Sequence, residues 1–67
     1  MNLQPTAEEL RALRQVAGIS QSKAASLVHL SNGIRWYEYE AGKRHIDKAR
    51  FELFLIKTGL HPDIKAA

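Results

Sequence analysis

The stretch GISQSKAASLVHLSNG, Gly18–Gly33, decides how this chain folds. Ser20 and Ser31 each stand where a helix can begin, because a serine hydroxyl accepts a hydrogen bond from the free amides of a first turn. The gap between them leaves room for about two helical turns. Gly18 falls where a helix C-terminal glycine belongs, free to take positive φ. Ala24, Ala25, Leu27 and Val28 give the intervening helix one apolar side, and the adjacent alanines permit a neighbouring helix to approach closely. The stretch therefore reads as the end of one helix, a short second helix, a turn at His29-Leu30 whose leucine is buried, and the start of a third.

The same reasoning extends in both directions. Thr6-Ala7-Glu8-Glu9 fits a capping box, in which Thr6 accepts from the Glu9 amide and Glu9 reaches back to the Thr6 amide. Leu10, Leu13, Val16 and Ala17 then recur at helical spacing, so helix 1 covers about Ala7–Ala17. Helix 2 covers about residues 21–28. Helix 3, capped by Ser31 or Asn32, covers about residues 32–40, and Ala41-Gly42-Lys43-Arg44 is a polar exit from it. Asp47 caps helix 4, about residues 48–58, which ends at Gly59 with Pro62 as a stop beyond. Leu53 to Ile56 are four apolar residues in a row, a pattern that belongs to a helix buried on more than one face. A last, weak segment ends in Ile64-Lys65-Ala66-Ala67, expected to fray. β-branched residues never alternate over a strand's length. The expectation is an all-α domain of four to five helices spanning residues 1–67.

Composition bounds what such a domain can do. At 67 residues the core is marginal, and self-association would relieve that. With 45% hydrophobic and 25% charged residues the mix is that of a globular domain. The absence of cysteine excludes a disulfide framework and a thiolate metal site. No segment approaches the roughly 20 apolar residues of a membrane span. The opening MNLQPTAEEL lacks the basic and apolar regions of a signal peptide, so a cytoplasmic location is expected. The net charge of +3 suits a polyanionic partner. Lys23, Arg35, Lys43, Arg44, Lys48 and Arg50 gather in the middle of the chain, whereas Glu8 and Glu9 sit near its start.

A short helix, a turn and a second helix opening with small polar residues can push that second helix into the major groove of duplex DNA, N-terminal end first. Asn32, Gly33 and Arg35 would then lie near base edges. Arginine can donate two hydrogen bonds to guanine, and asparagine can pair with adenine in the same bidentate way. The start of helix 2, at Gln21, would face the backbone, where amide donors suit a phosphate.

On these residues the chain resembles the Xre/Cro-type helix-turn-helix family of bacterial and phage repressors. Gly18-Ile19-Ser20-Gln21 matches the family's opening of helix 2, and Tyr39-Glu40-Ala41-Gly42 matches the end of its recognition helix. The resemblance covers about Leu10 to Arg44. Beyond it, Phe51–Gly59 is similar to the fourth helix of small phage-borne regulators, and the anti-CRISPR-associated (Aca-type) repressors carry a segment similar to that around Gly18. The resemblance implies a lambda-repressor-like helix-turn-helix fold, an operator in double-stranded DNA and a homodimer. By position in the motif it assigns Ser22 and Lys23 to DNA contact. Two departures stand out. His29 occupies the place of the usual turn glycine, and one extra residue separates Ser31 from Tyr39. Two registers of helix 3 therefore compete. One turns Leu30, Ile34 and Tyr37 to the core. The other turns Trp36 and Tyr39 inward, and is preferred because an aromatic pair at i, i+3 fixed by the motif is hard to place outside.

Each assignment has a plainer alternative. Asn32 can simply cap helix 3. Gln21 can stiffen its helix or meet a phosphate. Lys43 and Arg44 can contact phosphate or stand solvated. Trp36, Tyr37 and Tyr39 can form a stacking platform, although core packing is preferred. His29, His45 and His61 share no metal-ligand spacing and are expected at the surface. Glu40 is expected to bond backbone or a basic neighbour. Phe51, Phe54 and Leu55 are expected in the core and also on a dimer surface. The functional expectation is a sequence-specific transcriptional repressor, autoregulatory and borne by a phage or mobile element, that binds an inverted-repeat operator as a dimer. The alternative is an antitoxin-like or other protein-binding module of the same fold. No triad, phosphate loop, metal cluster or paired carboxylates suggest an enzyme, a cofactor or a small-molecule ligand.

Overall fold

A computed structural model describes residues 4–63, which form four helices. These are α1 (Ala7–Ala17), α2 (Gln21–Leu27), α3 (Gly33–Glu40) and α4 (Lys48–Thr58), with no strand among the described residues. The segment Ile64–Ala67 lies outside them.

Each helix starts at a side-chain cap. Thr6 Oγ1 accepts from the Glu9 amide at 3.1 Å while Glu9 Oε1 accepts from the Thr6 amide at 2.9 Å, the reciprocal pair expected of this sequence. Ser20 accepts from Lys23 at 3.0 Å, Asn32 from Ile34 at 2.9 Å and Asp47 from Arg50 at 3.1 Å. Of the two candidates for the α3 cap, Asn32 is therefore the one used, and α3 begins at Gly33.

The helix ends share a second device. After α2, the amide of Leu30 donates to Ala25 and that of His29 to Ser26, a Schellman closure that satisfies carbonyls of the last turn. The same two bonds recur as Lys43 to Glu38 and Gly42 to Tyr39 after α3, and as Leu60 to Leu55 and Gly59 to Ile56 after α4. The closure after α1 pairs Ile19 with Arg14 and Gly18 with Gln15. It needs one left-handed residue per helix. Three are glycines, with φ between 71° and 77°, and the fourth is His29 at φ 64°. The turn keeps its geometry although the side chain there is no longer hydrogen. Lys57 of α4 braces this turn, donating to the Leu27 carbonyl at 2.7 Å.

The core settles the register of α3. Trp36 is fully enclosed and Tyr39 nearly so, while Ile34 is 66% exposed and Tyr37 50% exposed. The aromatic pair faces inward, as the preferred register requires. Trp36 lies tilted against Phe54, ring centroids 5.0 Å apart, and meets Tyr39 edge-on at 6.0 Å. Leu10, Ala24, Ala25, Val28, Ile46, Phe51 and Leu55 complete the core, and Leu30 packs partly buried against it. The two alanines are wholly buried on α2, which packs against both α3 and α4.

Two expectations are corrected here. Phe51, Phe54 and Leu55 lie in the core, as expected, but at 0–2% exposure the chain's own packing encloses them and they offer no dimer surface. The apolar run of α4 is long because its helix is covered on more than one side by its own chain, with Leu53 and Ile56 half-buried at the margins. His61 is buried and not at the surface. It folds back over the end of α4, where its amide donates to Leu55 and its Nδ1 accepts from the Asp63 amide at 3.1 Å.

Candidate nucleic-acid interface

α2 and α3 are joined by the five residues Val28–Asn32, and their first turns touch. The contact is made at Gly33. A Cβ there would lie 3.0 Å from Ser22 Oγ, 3.3 Å from Ser22 Cα and 3.4 Å from Ser22 N. Gly33 thus owes its identity to close packing, since its φ is not positive. The absent side chain lets the two helix N-termini lie side by side, with Gln21, Ser22 and Lys23 on one and Asn32, Gly33 and Arg35 on the other.

The outward side of α3 is bordered by two open grooves. One, of about 410 Å³, runs past Ser31, Asn32, Ile34, Arg35 and Glu38. The other, of about 340 Å³, lies between the start of α2 and α3 and is lined by Gln21, Ser22, Gly33, Ile34 and Tyr37. Ile34 is the ridge between them. Cations surround this relief. Arg35 and Arg44 are both about half exposed, and both approach Glu38 Oε1, at 3.5 Å and 3.2 Å. Lys43 Nζ stands 6.0 Å from the centre of the exposed Tyr37 ring, a cation–π distance. Lys23 is exposed at the first turn of α2.

Behind this surface lies a buried ionic cluster centred on Glu40, whose side chain is 1% exposed. Arg14 grips the carboxylate with two nitrogens, Nε to Oε2 at 2.6 Å and Nη2 to Oε1 at 3.1 Å, and donates through Nη1 to the Ile19 carbonyl. The Trp36 indole donates to Oε2 and the Gln21 amide to Oε1. Burial alone would raise the Glu40 carboxyl. The bonds from Arg14, Trp36 and Gln21, with the charge of Arg14, outweigh it and hold the group below the usual carboxylate range. The hydrogen bond to Glu40 correspondingly raises Arg14, against its own burial. Glu40 thus bonds a basic neighbour, one of the two options open in sequence. Its partner lies 26 residues away on α1, where nothing in the spacing singled out Arg14.

The residues named in sequence gather unevenly. Gln21, Ser22, Gly33 and Arg35 line the two grooves, and Lys23, Lys43 and Arg44 lie exposed around them. Gln21 is half-buried and already spends one donor on Glu40, so it ties α2 to the cluster. Asn32 spends one lone pair of its Oδ1 on the cap of α3, which leaves its Nδ2 and the second Oδ1 lone pair for another partner. Glu38, which forms no pair of catalytic use with Glu40, lines the groove beside Arg35. The signal for that placement was its i, i+3 spacing from Arg35 on the side opposite the aromatic pair.

No family model, curated protein or solved structure matches the chain. No helix among the described residues is long and apolar enough to cross a membrane.

Proposed function

We propose that α2, the Val28–Asn32 turn and α3 are a helix-turn-helix unit in a lambda-repressor-like domain, and that the chain is a sequence-specific repressor that binds double-stranded DNA. The observation that carries this reading is the outward side of α3. A helix whose other side is fully packed leaves Ile34, Arg35 and Tyr37 exposed, with Lys23, Lys43 and Arg44 around them. Such a side suits a major groove. Arg35 donates to guanine, Ile34 can meet a thymine methyl, and the surrounding cations meet phosphates. Glu40 and Gly33 hold the two helices at fixed spacing, so the base-reading side chains start from a rigid platform.

The described residues measure 29 × 21 × 20 Å, less than the roughly 34 Å between half-sites one duplex turn apart. One copy therefore reads one half-site, and two copies on an inverted repeat read an operator. Occupying a promoter in this way blocks polymerase sterically, and a promoter upstream of the protein's own gene makes the circuit autoregulatory. The resemblance to phage regulators supports that assignment. A second reading, a module whose main partner is a protein, is favoured by the apolar character of Ile34 and Tyr37. It entails no salt-dependent affinity for duplex.

The test is a footprint on the DNA flanking the gene, followed by duplex titrations at several salt concentrations. Arg35→Ala is expected to cost about 1–3 kcal/mol on the operator and to relax preference at one base pair per half-site. Lys43→Ala or Arg44→Ala is expected to weaken all sequences alike and to flatten the salt slope by about 0.9 each. A reporter behind the protected region should fall when the protein is supplied and recover with Arg35→Ala. Affinity that ignores salt and sequence, or a reporter that does not fall, would reject repression and favour the protein-partner reading.

A further inference from the structure

We propose that Glu38 reads a cytosine. Its carboxylate accepts a hydrogen bond from the exocyclic amino group of one cytosine in each half-site, and Arg35 donates to a neighbouring guanine. The inference rests on the duplex-binding reading above and names the base that this part of α3 selects.

Glu38 is an anomaly on that reading. It stands one turn beyond Ile34 on the outward side of α3 and lines the same groove as Arg35. A carboxylate there faces a polyanion. Ionised, it can only accept hydrogen bonds. The major groove offers donors at two places, the N4 amino group of cytosine and the N6 amino group of adenine. Adenine sets its N7 acceptor beside that donor, which repels a carboxylate, whereas cytosine has no acceptor on its groove edge. Cytosine is therefore the base that an ionised Glu38 can meet without a penalty.

The surroundings aim the carboxylate. Arg35 and Arg44 both approach Oε1, so two cations border one anion and the local charge is positive. That offsets repulsion from the phosphates. The nearest approach of both guanidinium groups is to Oε1, and the Arg44 hydrogen bond is made to that atom, which leaves Oε2 to accept from a base. The Arg35–Glu38 pair thus presents donors beside an acceptor. A G·C base pair presents the complement, the guanine N7 and O6 acceptors beside the cytosine N4 donor.

The experiment selects sites from a randomised duplex library with the wild-type protein, then titrates duplexes carrying each of the four base pairs at every position of the selected site. Wild type is expected to prefer cytosine at one position per half-site by about 5- to 150-fold over the other bases. Glu38→Gln keeps the shape of the side chain and lies outside the core, so the domain stays folded. It is expected to abolish that preference and to shift it towards adenine, because a carboxamide offers a donor and an acceptor that fit adenine N6 and N7. Preferences at the other positions stay as they were. Loss of the cytosine preference at that pair supports the proposal, with or without the gain for adenine. A Glu38→Gln protein that ranks all bases as wild type does, whatever its overall affinity, overturns it and leaves duplex binding standing. A wild-type protein that binds no duplex, or binds all alike, overturns the duplex reading and this one with it.

Discussion

Replacing His29 by glycine should stabilise the domain, and the structure sets the size of the effect. His29 sits at φ 64°, in the left-handed region, at the one helix end of four where that conformation is not given to glycine. A residue with a Cβ pays about 1–2 kcal/mol for this geometry. Glycine removes that cost but gives the unfolded chain more freedom, worth roughly 0.5–1 kcal/mol in the opposite direction. Taken at mid-range, the net is a gain of about 0.75 kcal/mol. For a domain of this size that raises the melting temperature by about 2–8 °C. Thermal unfolding followed by circular dichroism, at fixed pH and protein concentration, measures it. The His29 ring also lies 3.5 Å from Lys57 Nζ, an exposed contact whose loss is expected to matter little. Lys57→Met sets an upper bound on that loss, since it removes the ammonium's bond to the Leu27 carbonyl together with its contact to His29. A His29→Gly protein that melts at or below the wild-type temperature would refute the reasoning. The imidazole would then have to stabilise the turn through contacts that outweigh its backbone strain.

Glu40→Gln leaves the partly buried Arg14 without its anion; breaking a fully buried pair costs about 3–5 kcal/mol, and the solvent access of Arg14 sets the expected loss at about 3 kcal/mol, the low end, read as a lower midpoint in urea. The same cluster sets the response to acid. The folded Glu40 carboxyl titrates below its unfolded value, so its contribution is complete above the ordinary carboxylate range. It is lost as pH falls through the lowered folded value, and Asp47, also lowered, acts in the same direction. Melting temperatures taken from neutral pH downward should fall through that acid window, and less steeply in Glu40→Gln. Gly33→Ala would ordinarily help a helix, but here the new methyl meets Ser22 backbone atoms at 3.3–3.4 Å. A net loss of about 1–3 kcal/mol is expected from the forced separation, with weakened duplex binding even where the protein remains folded. An alanine variant as stable as wild type would show that α2 and α3 can move apart freely.

The helix boundaries were legible because they are set locally. Thr6 and Glu9, Ser20, Asp47 and the glycines at 18 and 59 each act within a few residues of where they stand, so spacing suffices to find them. The register of α3 was legible for a different reason. Only one of the two candidate frames could bury both Trp36 and Tyr39. What could not be read depends on contacts between distant segments. Glu40 gave no sign that Arg14 would be its partner, and Gln21 gave no sign of its bond to the same carboxylate. Phe51, Phe54 and Leu55 misled because a long apolar run fits self-association as well as burial within one chain, and only the packing of Trp36 on Phe54 distinguishes them. His61 is buried because the chain turns back over α4, an event that Pro62 marks in position but not in direction. Arg35 and Glu38 were visible as single charges, but their joint approach with Arg44 at one oxygen was not.

Trp36 is the chain's single tryptophan, and it sits at the centre of the core on the helix whose opposite side faces outward. That makes the molecule its own optical probe. The indole is enclosed against Phe54 and hydrogen-bonded to Glu40, so its emission reports the seating of α3 on the rest of the domain. It lies beyond the reach of any ligand on the outer side. A shift in emission wavelength on adding duplex would therefore signal that the helix has moved relative to the core. Unchanged emission beside full binding would mean that the helix enters its partner as a rigid body.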